Sequence, residues 1–215
     1  MIKMEFYGQF KQDEFIYNNF FKNQKKGFYV DIGAHDGISG SNTYFFENFG
    51  WDGICVEPTP YVYDKLQKNR NCKILNIAIS DKNGISEFMS LSGYTQMLSG
   101  LVENYDPKHL QRIDNEMGIK YEGKVGKKEI IKTVTKTFME LETPKVIDFI
   151  SLDVEGSEYN VLKGIDFNEK LIKVITVENN YHDGRIDNIL KNNGFTVSSN
   201  LGCDTVYINK KNMEL

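Results

Sequence analysis

The chain has 215 residues, 40% of them hydrophobic, so it is long and apolar enough to bury the core of one globular domain. Its net charge of −4 and pI near 5.5 disfavour nucleic acid as a partner, since a nucleic-acid-binding protein needs a basic surface for the phosphates. No apolar run approaches the ~20 residues of a membrane span and the N-terminus lacks an apolar signal core, so we expect a cytoplasmic protein with no membrane span.

The first part of the chain alternates helix and strand patterns. Residues 1–26 are interpreted as a helical lead-in, and the apolar run F-Y-V-D-I that follows is typical of a strand covered on both faces. Residues 39–49 favour a helix, D-G-I-C-V-E-P a second buried strand, and residues 61–70 another helix. The run C-K-I-L-N-I-A-I-S predicts a third strand, and I-S-E-F-M-S-L predicts an edge strand.

Residues 92–132 interrupt this alternation. They are polar, glycine-rich and weakly periodic, with some helix expected over 107–117. We interpret them as an excursion on the side of the domain where a substrate would bind. Residues 92–100 are interpreted as either a lid over that site or an ordinary exposed loop. The lysines and arginines of residues 108–136 fit a solvated face, or a surface that receives a phosphorylated or acidic glycan.

Strands and helices alternate again after the excursion. T-V-T-K-T-F-M-E-L leads from strand to helix, V-I-D-F-I-S-L-D-V-E-G predicts a buried strand that ends at Asp153, and residues 157–164 predict a helix. I-K-V-I-T-V-E-N-N predicts another buried strand, residues 185–193 a helix, and the last two strand patterns an antiparallel hairpin. We therefore predict one α/β domain over residues 1–215, with a mostly parallel sheet, helices on both faces and ligands at the carboxyl ends of the strands.

The stretch D-I-G-A-H-D-G after the first strand predicts the cofactor. A dinucleotide turn needs G-x-G-x-x-G, but here Gly33 and Gly37 flank Ala34, His35 and Asp36, so the middle glycine is missing and an acid would repel a pyrophosphate. S-adenosylmethionine has a positive centre and no phosphate, so it suits this turn. Asp31 is then a candidate partner for its ammonium group.

The second strand ends in V-E-P, where Glu57 is placed to accept both ribose hydroxyls of a nucleoside. Further candidate cofactor contacts follow from their positions beside these strand ends: Asn42, Thr43, Pro58, Ala78 and Ser80, with Gln12 and Asp13 folding back over the site.

These motifs together resemble the FkbM family of S-adenosylmethionine-dependent methyltransferases, from about Gln12 to the end of the chain. The block D-V-E-G-S-E-Y-N-V-L-K-G, placed after V-D-I-G-A-H-D-G, is the specific part of the likeness. The resemblance implies the Rossmann-like fold of class I methyltransferases and O-methylation of a sugar hydroxyl in a glycan or natural product.

Oxygen ligands at the ends of two later strands predict a metal site. Asp153 follows one strand, Glu178 and Asn179 follow the next, and hard oxygen ligands of this kind favour Mg²⁺, Mn²⁺ or Ca²⁺. The layout resembles that of metal-dependent catechol and macrolide-sugar O-methyltransferases. A divalent cation there, Mg²⁺ or Mn²⁺, would acidify and orient a sugar hydroxyl; the alternative is that these residues only cap a helix and shape a loop.

The general base is less defined by the sequence. The metal-dependent relatives carry Lys or His three residues after the first ligand, where this chain has Gly156. Glu155 and His182 are therefore the candidates, together with Asp153, for catalytic roles. His35 is expected to shape the cofactor pocket, and His109 has no visible partner in the sequence.

Two other functions remain open from the sequence. One is an NAD-dependent oxidoreductase or epimerase, which the turn spacing and the lack of a Y-x-x-x-K pair disfavour. The other is a non-catalytic nucleoside-binding module on the same fold. The three cysteines, Cys55, Cys72 and Cys203, are interpreted as reduced thiols.

Overall fold

A computed structural model describes residues 4–214 of the chain. In chain order its strands are β1 (Phe28–Ile32), β2 (Asp52–Val56), β3 (Lys73–Leu75), β4 (Ala78–Ile79), β5 (Gly84–Leu91), β6 (Gly100–Leu101), β7 (Lys120–Tyr121), β8 (Lys124–Val125), β9 (Lys128–Lys136), β10 (Val146–Leu152), β11 (Leu171–Glu178), β12 (Thr196–Leu201) and β13 (Asp204–Ile208). The helices are α1 (Gln12–Phe20), α2 (Tyr44–Asn48), α3 (Pro60–Asn69), α4 (Pro107–Glu116), α5 (Glu158–Lys163) and α6 (Gly184–Asn192). None of these helices is long and apolar enough to cross a membrane.

Seven strands form the main sheet, in the order β12-β13-β11-β10-β1-β2-β3. Five neighbouring strands of this sheet, β3, β2, β1, β10 and β11, run parallel to one another. β13 and β12 add an antiparallel hairpin beside β11. Buried side chains on one face pack with α5 and α6, and those on the other pack with α1, α2 and α3. The predicted α/β fold with a mostly parallel sheet and a C-terminal hairpin is confirmed.

The order of the strands reverses between β1 and β10. The chain runs from β1 outwards to β3 and returns to pair β10 against the other edge of β1. The connections that follow two neighbouring strands at such a switch point leave to opposite faces of the sheet, which opens a crevice for a ligand at the carboxyl ends of the strands. The candidate residues Asp31 and Asp153 lie at these two strand ends.

A second sheet, in the order β4-β9-β5-β6, stands beside the main one. Within it β5 and β9 pair antiparallel along their whole length, from Gly84↔Thr135 to Leu91↔Lys128. The predicted edge strand is therefore an inner strand of this second sheet. The predicted excursion also contains the first residues of β9, and its helix, expected over 107–117, is α4.

Three other predicted elements are wrong in extent. The helix expected over 39–49 is helical only from Tyr44 to Asn48, because Asp36 accepts the amides of Ile38 and Ser39 and forms a turn there. The predicted third strand is divided between β3 in the main sheet and β4 in the second sheet. After β9, the expected helix is a single 3₁₀ turn, Phe138–Glu140.

Candidate active site

The turn after β1 is fastened to the end of β2. The amides of Gly33 and Ala34 both donate to the carbonyl of Val56, each at 3.0 Å. The amide of His35 donates to Oε2 of Glu57 at 3.1 Å. Because both elements share these bonds, the turn and Glu57 form one wall of the crevice between the strand ends.

Glu57 is buried at the foot of this wall. Its other carboxylate oxygen accepts the amide of Thr59 at 2.7 Å, so both oxygens are oriented by the backbone. Burial raises the pKa of Glu57 to about 6, although these hydrogen bonds oppose the rise. A buried carboxylate held in this way is suited to accept hydroxyl groups of a ligand.

A cleft of about 660 Å³, its open mouth included, lies along the switch point. Apolar side chains from β2, β4 and β5 line one part, and carboxylates line the other. Seven of the residues predicted from the sequence line the cleft: Gly33, His35, Glu57, Pro58, Ala78, Asp153 and Glu155.

Asp31 does not line this cleft. Its side chain is buried on the face of the sheet that packs with α1–α3, where Thr43 Oγ1 donates to it at 2.5 Å and Arg70 Nη1 lies 3.9 Å away. Burial raises the pKa of Asp31, and the guanidinium of Arg70 opposes that rise. The structure thus pairs Asp31 with Thr43 and Arg70; an ammonium-binding role stays a prediction.

Five other predicted cofactor contacts from the turn and the strand ends also lie outside the cleft lining: Ala34, Gly37, Asn42, Thr43 and Ser80. The carbonyl of Gly37 accepts Arg70 Nη1 at 3.0 Å, and the amide of Ser80 donates to the carbonyl of Lys136 at 2.9 Å. Asn42 Nδ2 donates to Ser151 Oγ at 3.2 Å. Their roles in binding remain predictions.

Gln12 and Asp13 line neither the cleft nor the second cavity, and their folding over the site stays a prediction. Both side chains are buried; Gln12 Nε2 donates to Asp204 Oδ2 at 2.6 Å, and Asp13 accepts the amide of Tyr7. Gly8 forms a parallel bridge with Gly40 beside them.

Three carboxylates converge where β10 and β11 end. Asp153, Glu155 and Glu178 each offer an oxygen, and these oxygens lie within 4.8 Å of one another. Desolvation raises the pKa of Asp153 well above its ordinary value, and the charge of Glu178 adds to the effect. Desolvation likewise raises the pKa of Glu178 to about 8. Such a cluster is destabilised when ionised, so a cation or protons must compensate its charge.

Glu155 has the most constrained conformation of the three. Its φ is 55°, in the left-handed region that a residue with a side chain rarely adopts. Its Oε2 is buried and has no hydrogen-bond partner among residues 4–214. The nearest basic atom is His109 Nδ1, 3.5 Å away. An unpartnered buried oxygen in an acidic cluster fits a site built for a cation.

A second cavity adjoins the cleft on the other side of this cluster. It is lined by Glu155, Glu178, Asn179 and Tyr181, and by the chain that enters α4. The side-chain oxygen of Asn179 accepts the amide of Asp183 at 2.7 Å, so Asn179 shapes the loop after β11. The carboxylate cluster therefore consists of Asp153, Glu155 and Glu178. A metal-binding role for Asn179 stays a prediction.

His109 is a site residue that sequence reasoning missed. Fully buried in α4, it stacks on Tyr105, its Nε2 lies 3.2 Å from the carbonyl of Leu98, and Tyr181 Oη lies 3.1 Å from its Nδ1. The only signal in the sequence was a histidine on the apolar side of a predicted helix. His182 is exposed and lines neither cavity, so of the two candidate bases only Glu155 lies at the cluster.

The predicted lid segment forms part of the cleft wall. Residues Gly93–Leu98 make a 3₁₀ helix, and Gln96 and Met97 line the cleft. Gln96 contacts the ring of His35 in the turn after β1. The segment thus connects the excursion to the cofactor turn, and its movement as a lid stays a prediction.

The chain is similar to one known protein family and, distantly, to solved structures. A model of the methyltransferase FkbM domain matches residues 31–197. Among solved structures, precorrin-6y C5,15-methyltransferase from Geobacter metallireducens GS-15 is 14% identical with a TM-score of 0.36, covering 85% of this chain and 76% of that one. A SAM-dependent methyltransferase from Aquifex aeolicus is 10% identical with a TM-score of 0.37, covering 91% of this chain and 88% of that one.

These two likenesses are too distant to carry any argument about the site. The comparison with curated proteins gave no match. The family match, however, includes the cofactor turn, the second sheet and the carboxylate cluster, and it spans most of the chain. The chain therefore belongs to the methyltransferase FkbM domain family and is an S-adenosylmethionine-dependent methyltransferase.

Proposed function

We propose that the protein transfers the methyl group of S-adenosylmethionine to a hydroxyl group of a sugar, in a glycan or a glycosylated natural product, with help from a divalent cation. The observation that carries the proposal is the position of the carboxylate cluster. Glu155 lines both the cofactor cleft and the second cavity, while Asp153 lines the first and Glu178 the second. A methyl donor in the cleft and an acceptor in the second cavity would meet at this cluster.

Different residues of the cleft bind different parts of the cofactor. Glu57 accepts the ribose hydroxyls, and apolar side chains such as Val62 and Phe88 enclose the adenine. The sulfonium end then lies toward Asp153 and Glu155, whose negative charge favours a positive ligand. Methyl transfer needs the acceptor oxygen in line with the methyl carbon and the sulfur, so both cavities contribute to alignment.

Asp153, Glu155 and Glu178 would hold the cation. They supply carboxylate oxygens only, which fits Mg²⁺ or Mn²⁺ better than a softer metal. When bound, a divalent cation lowers the pKa of a hydroxyl and orients it. Each carboxylate needs to give the cation a single oxygen, so the second oxygen of Glu155 is available to accept the proton of the acceptor hydroxyl.

The second cavity suits a polyhydroxylated acceptor. Its lining includes the aromatic rings of Tyr105 and Tyr181 and the amides of Asn104 and Asn180. Aromatic faces pack against the apolar face of a sugar ring, and amides and carboxylates bond its hydroxyls. Arg185, the basic residue of this lining, is already paired with Asp183 at 2.7 Å. The lining therefore favours a neutral acceptor over a phosphorylated one.

Calorimetric titration with S-adenosylhomocysteine tests the cofactor, with NAD as the competing ligand. Micromolar binding of S-adenosylhomocysteine and no binding of NAD is the expected result, and the reverse would contradict the proposal. Transfer of a labelled methyl group to a panel of neutral sugars and their phosphates then tests the acceptor. Methylation of peptides or lipids and of no sugar would refute the sugar assignment.

Titration with Mn²⁺ tests the cation independently of any acceptor. Binding of one ion that is lost in Asp153→Asn and in Glu178→Gln supports the site. The matched control is Glu87→Gln, an exposed residue of β5 outside both cavities. Unchanged Mn²⁺ binding in all three variants, or full methyl transfer in saturating chelator, would contradict a role for the cation.

A further inference from the structure

Two of the three thiols lie in contact beneath the cofactor turn. Cys55 is fully buried in β2, and Cys72 is partly exposed in the bend between α3 and β3. Their sulfur atoms are 3.5 Å apart. The third thiol, Cys203, lies beside Glu178 in the turn between β12 and β13. We propose that Cys55 and Cys72 are a redox modification site, which closes to a reversible disulfide and thereby weakens cofactor binding.

The two thiols have different reactivities. A hydrogen bond with Cys55 lowers the pKa of Cys72, and the Tyr29 hydroxyl and the Arg70 guanidinium act in the same direction. Burial raises the pKa of Cys55 well above its ordinary value. Since the thiolate is the nucleophile and Cys72 alone reaches solvent, Cys72 reacts first.

A small disulfide such as glutathione disulfide is a sufficient oxidant. The Cys72 thiolate attacks one of its sulfurs, forming a mixed disulfide and releasing one glutathione thiolate. The Cys55 thiol then attacks the Cys72 sulfur, and its proton passes to the second glutathione, which leaves as a thiol. The protein dithiol has lost two electrons and two protons, and the glutathione disulfide has been reduced to two thiols.

The pair is coupled to the cofactor turn from both sides. Cys55 directly precedes Val56, whose carbonyl holds the amides of Gly33 and Ala34. Cys72 lies two residues after Arg70, whose Nη1 donates to the carbonyl of Gly37 at 3.0 Å. A disulfide requires the sulfurs to approach to about 2.05 Å, so closure displaces the segments that support both ends of the turn.

Mass spectrometry of protein treated with glutathione disulfide tests bond formation. The Cys203→Ser background leaves only the proposed pair. We expect the loss of two hydrogens, a peptide that links Cys55 to Cys72, and reversal by dithiothreitol. The matched variant Cys72→Ser should show neither change. A stable glutathione adduct on Cys72, or two free thiols after treatment, would overturn the proposed disulfide.

Two measurements test whether the disulfide loosens the cofactor turn and weakens cofactor binding. Hydrogen exchange of the amides of residues 33–37 should be faster in oxidised than in reduced protein, and unchanged exchange would overturn the coupling. The affinity for S-adenosylhomocysteine should fall about tenfold on oxidation and recover with dithiothreitol. This second readout rests on the proposed function: if reduced protein binds no S-adenosylhomocysteine, that function fails, while the mass and exchange results still decide the disulfide.

Discussion

At the scale of single residues, Glu57 is oriented before any ligand arrives. The amides of His35 and Thr59 each bond one of its oxygens, so the carboxylate cannot rotate away from the cleft. Its pKa of about 6 means that it ionises just below neutral pH. The ionised group is acceptor-only, whereas the protonated group uses one oxygen as a donor. Cofactor affinity should therefore follow the protonation of this residue.

We expect Glu57→Gln to weaken S-adenosylhomocysteine binding about 10- to 100-fold, because hydrogen bonds to a charged group contribute ~1.5–3 kcal/mol. Wild-type affinity should rise with pH as the carboxylate forms around pH 6, and the variant should show no such rise. Calorimetry over this pH range, with Glu87→Gln as control, measures both. Wild-type affinity in Glu57→Gln would show that the ribose lies elsewhere.

Gly33 is required by the packing of the strand ends. Its φ is +88°, and a Cβ at this position would lie 1.7 Å from the carbonyl oxygen of Asp153. Gly33→Ala should lower the free energy of unfolding by about 3 kcal/mol or more, from backbone strain and overpacking together. Gly118→Ala is the control, because no described atom lies within 4 Å of its Cβ position. Urea unfolding of both variants checks this; equal stabilities would contradict it.

At the scale of elements, Arg70 joins three pieces of the fold. It follows α3, its Nε donates to Glu47 of α2 at 2.7 Å, and its Nη2 donates to Tyr29 of β1 at 2.9 Å. The side chain is fully buried and supplies the positive charge of this network, in which Tyr29 Oη also donates to Glu47 Oε2 at 2.5 Å. This polar network lies beside the apolar contacts between α2, α3 and β1 and connects the same three elements.

Arg70→Met should lower the free energy of unfolding by ~3–5 kcal/mol, because it removes the buried positive charge that is paired with Asp31 and Glu47. Arg112→Met is the matched control: that side chain is 44% exposed and pairs with Glu116 along one helix, so a loss of no more than ~0.5 kcal/mol is expected. Chemical denaturation compares the two, and similar losses would mean that the buried network contributes little.

Elements defined by local pattern were predictable, and those defined by long-range pairing were not. α3 begins at Pro60, which favours a first helical position, and buries Val62 and Leu66 on one face, so its bounds differ from prediction by one residue. The main strands are apolar runs with clear ends. The split of the third strand depends on Asn76, which bonds the carbonyls of Glu57 and Pro58 and bends the chain.

In the candidate site too, features set by local sequence pattern were predictable and features set by long-range packing were not. Asp153 and Glu178 were predictable because parallel strands bring their carboxyl ends to one edge. The direction of a side chain was not: Asp31 faces Arg70, and Asn179 bonds the loop after β11. His109 was unpredictable as a site residue, because its contact with Glu155 exists only once α4 packs against the end of β10.

At the scale of the whole molecule, the acidic cluster makes stability depend on pH and on cations. Desolvation, with the charges of Glu155 and Glu158, raises the pKa of Glu178 from its ordinary 4.5 to about 8. Between those two values the folded state binds more protons than the unfolded state, so the free energy of unfolding falls as the pH rises. Glu57 adds a smaller loss between 4.5 and about 6.

In chelator we therefore expect the protein to be about 2 kcal/mol less stable at pH 8 than at pH 6, since each unit of pKa shift corresponds to ~1.4 kcal/mol. Added Mn²⁺ should restore stability at pH 8 far more than at pH 6, because it binds the ionised carboxylates of the folded state. Urea unfolding at both pH values, with and without Mn²⁺, measures this. Glu178→Gln should reduce both the pH dependence and the Mn²⁺ effect, and Glu87→Gln should keep both at the wild-type size. If stability instead rises from pH 6 to pH 8 in chelator, the cluster does not hold its protons in the folded state, and the argument for a cation there loses its electrostatic basis.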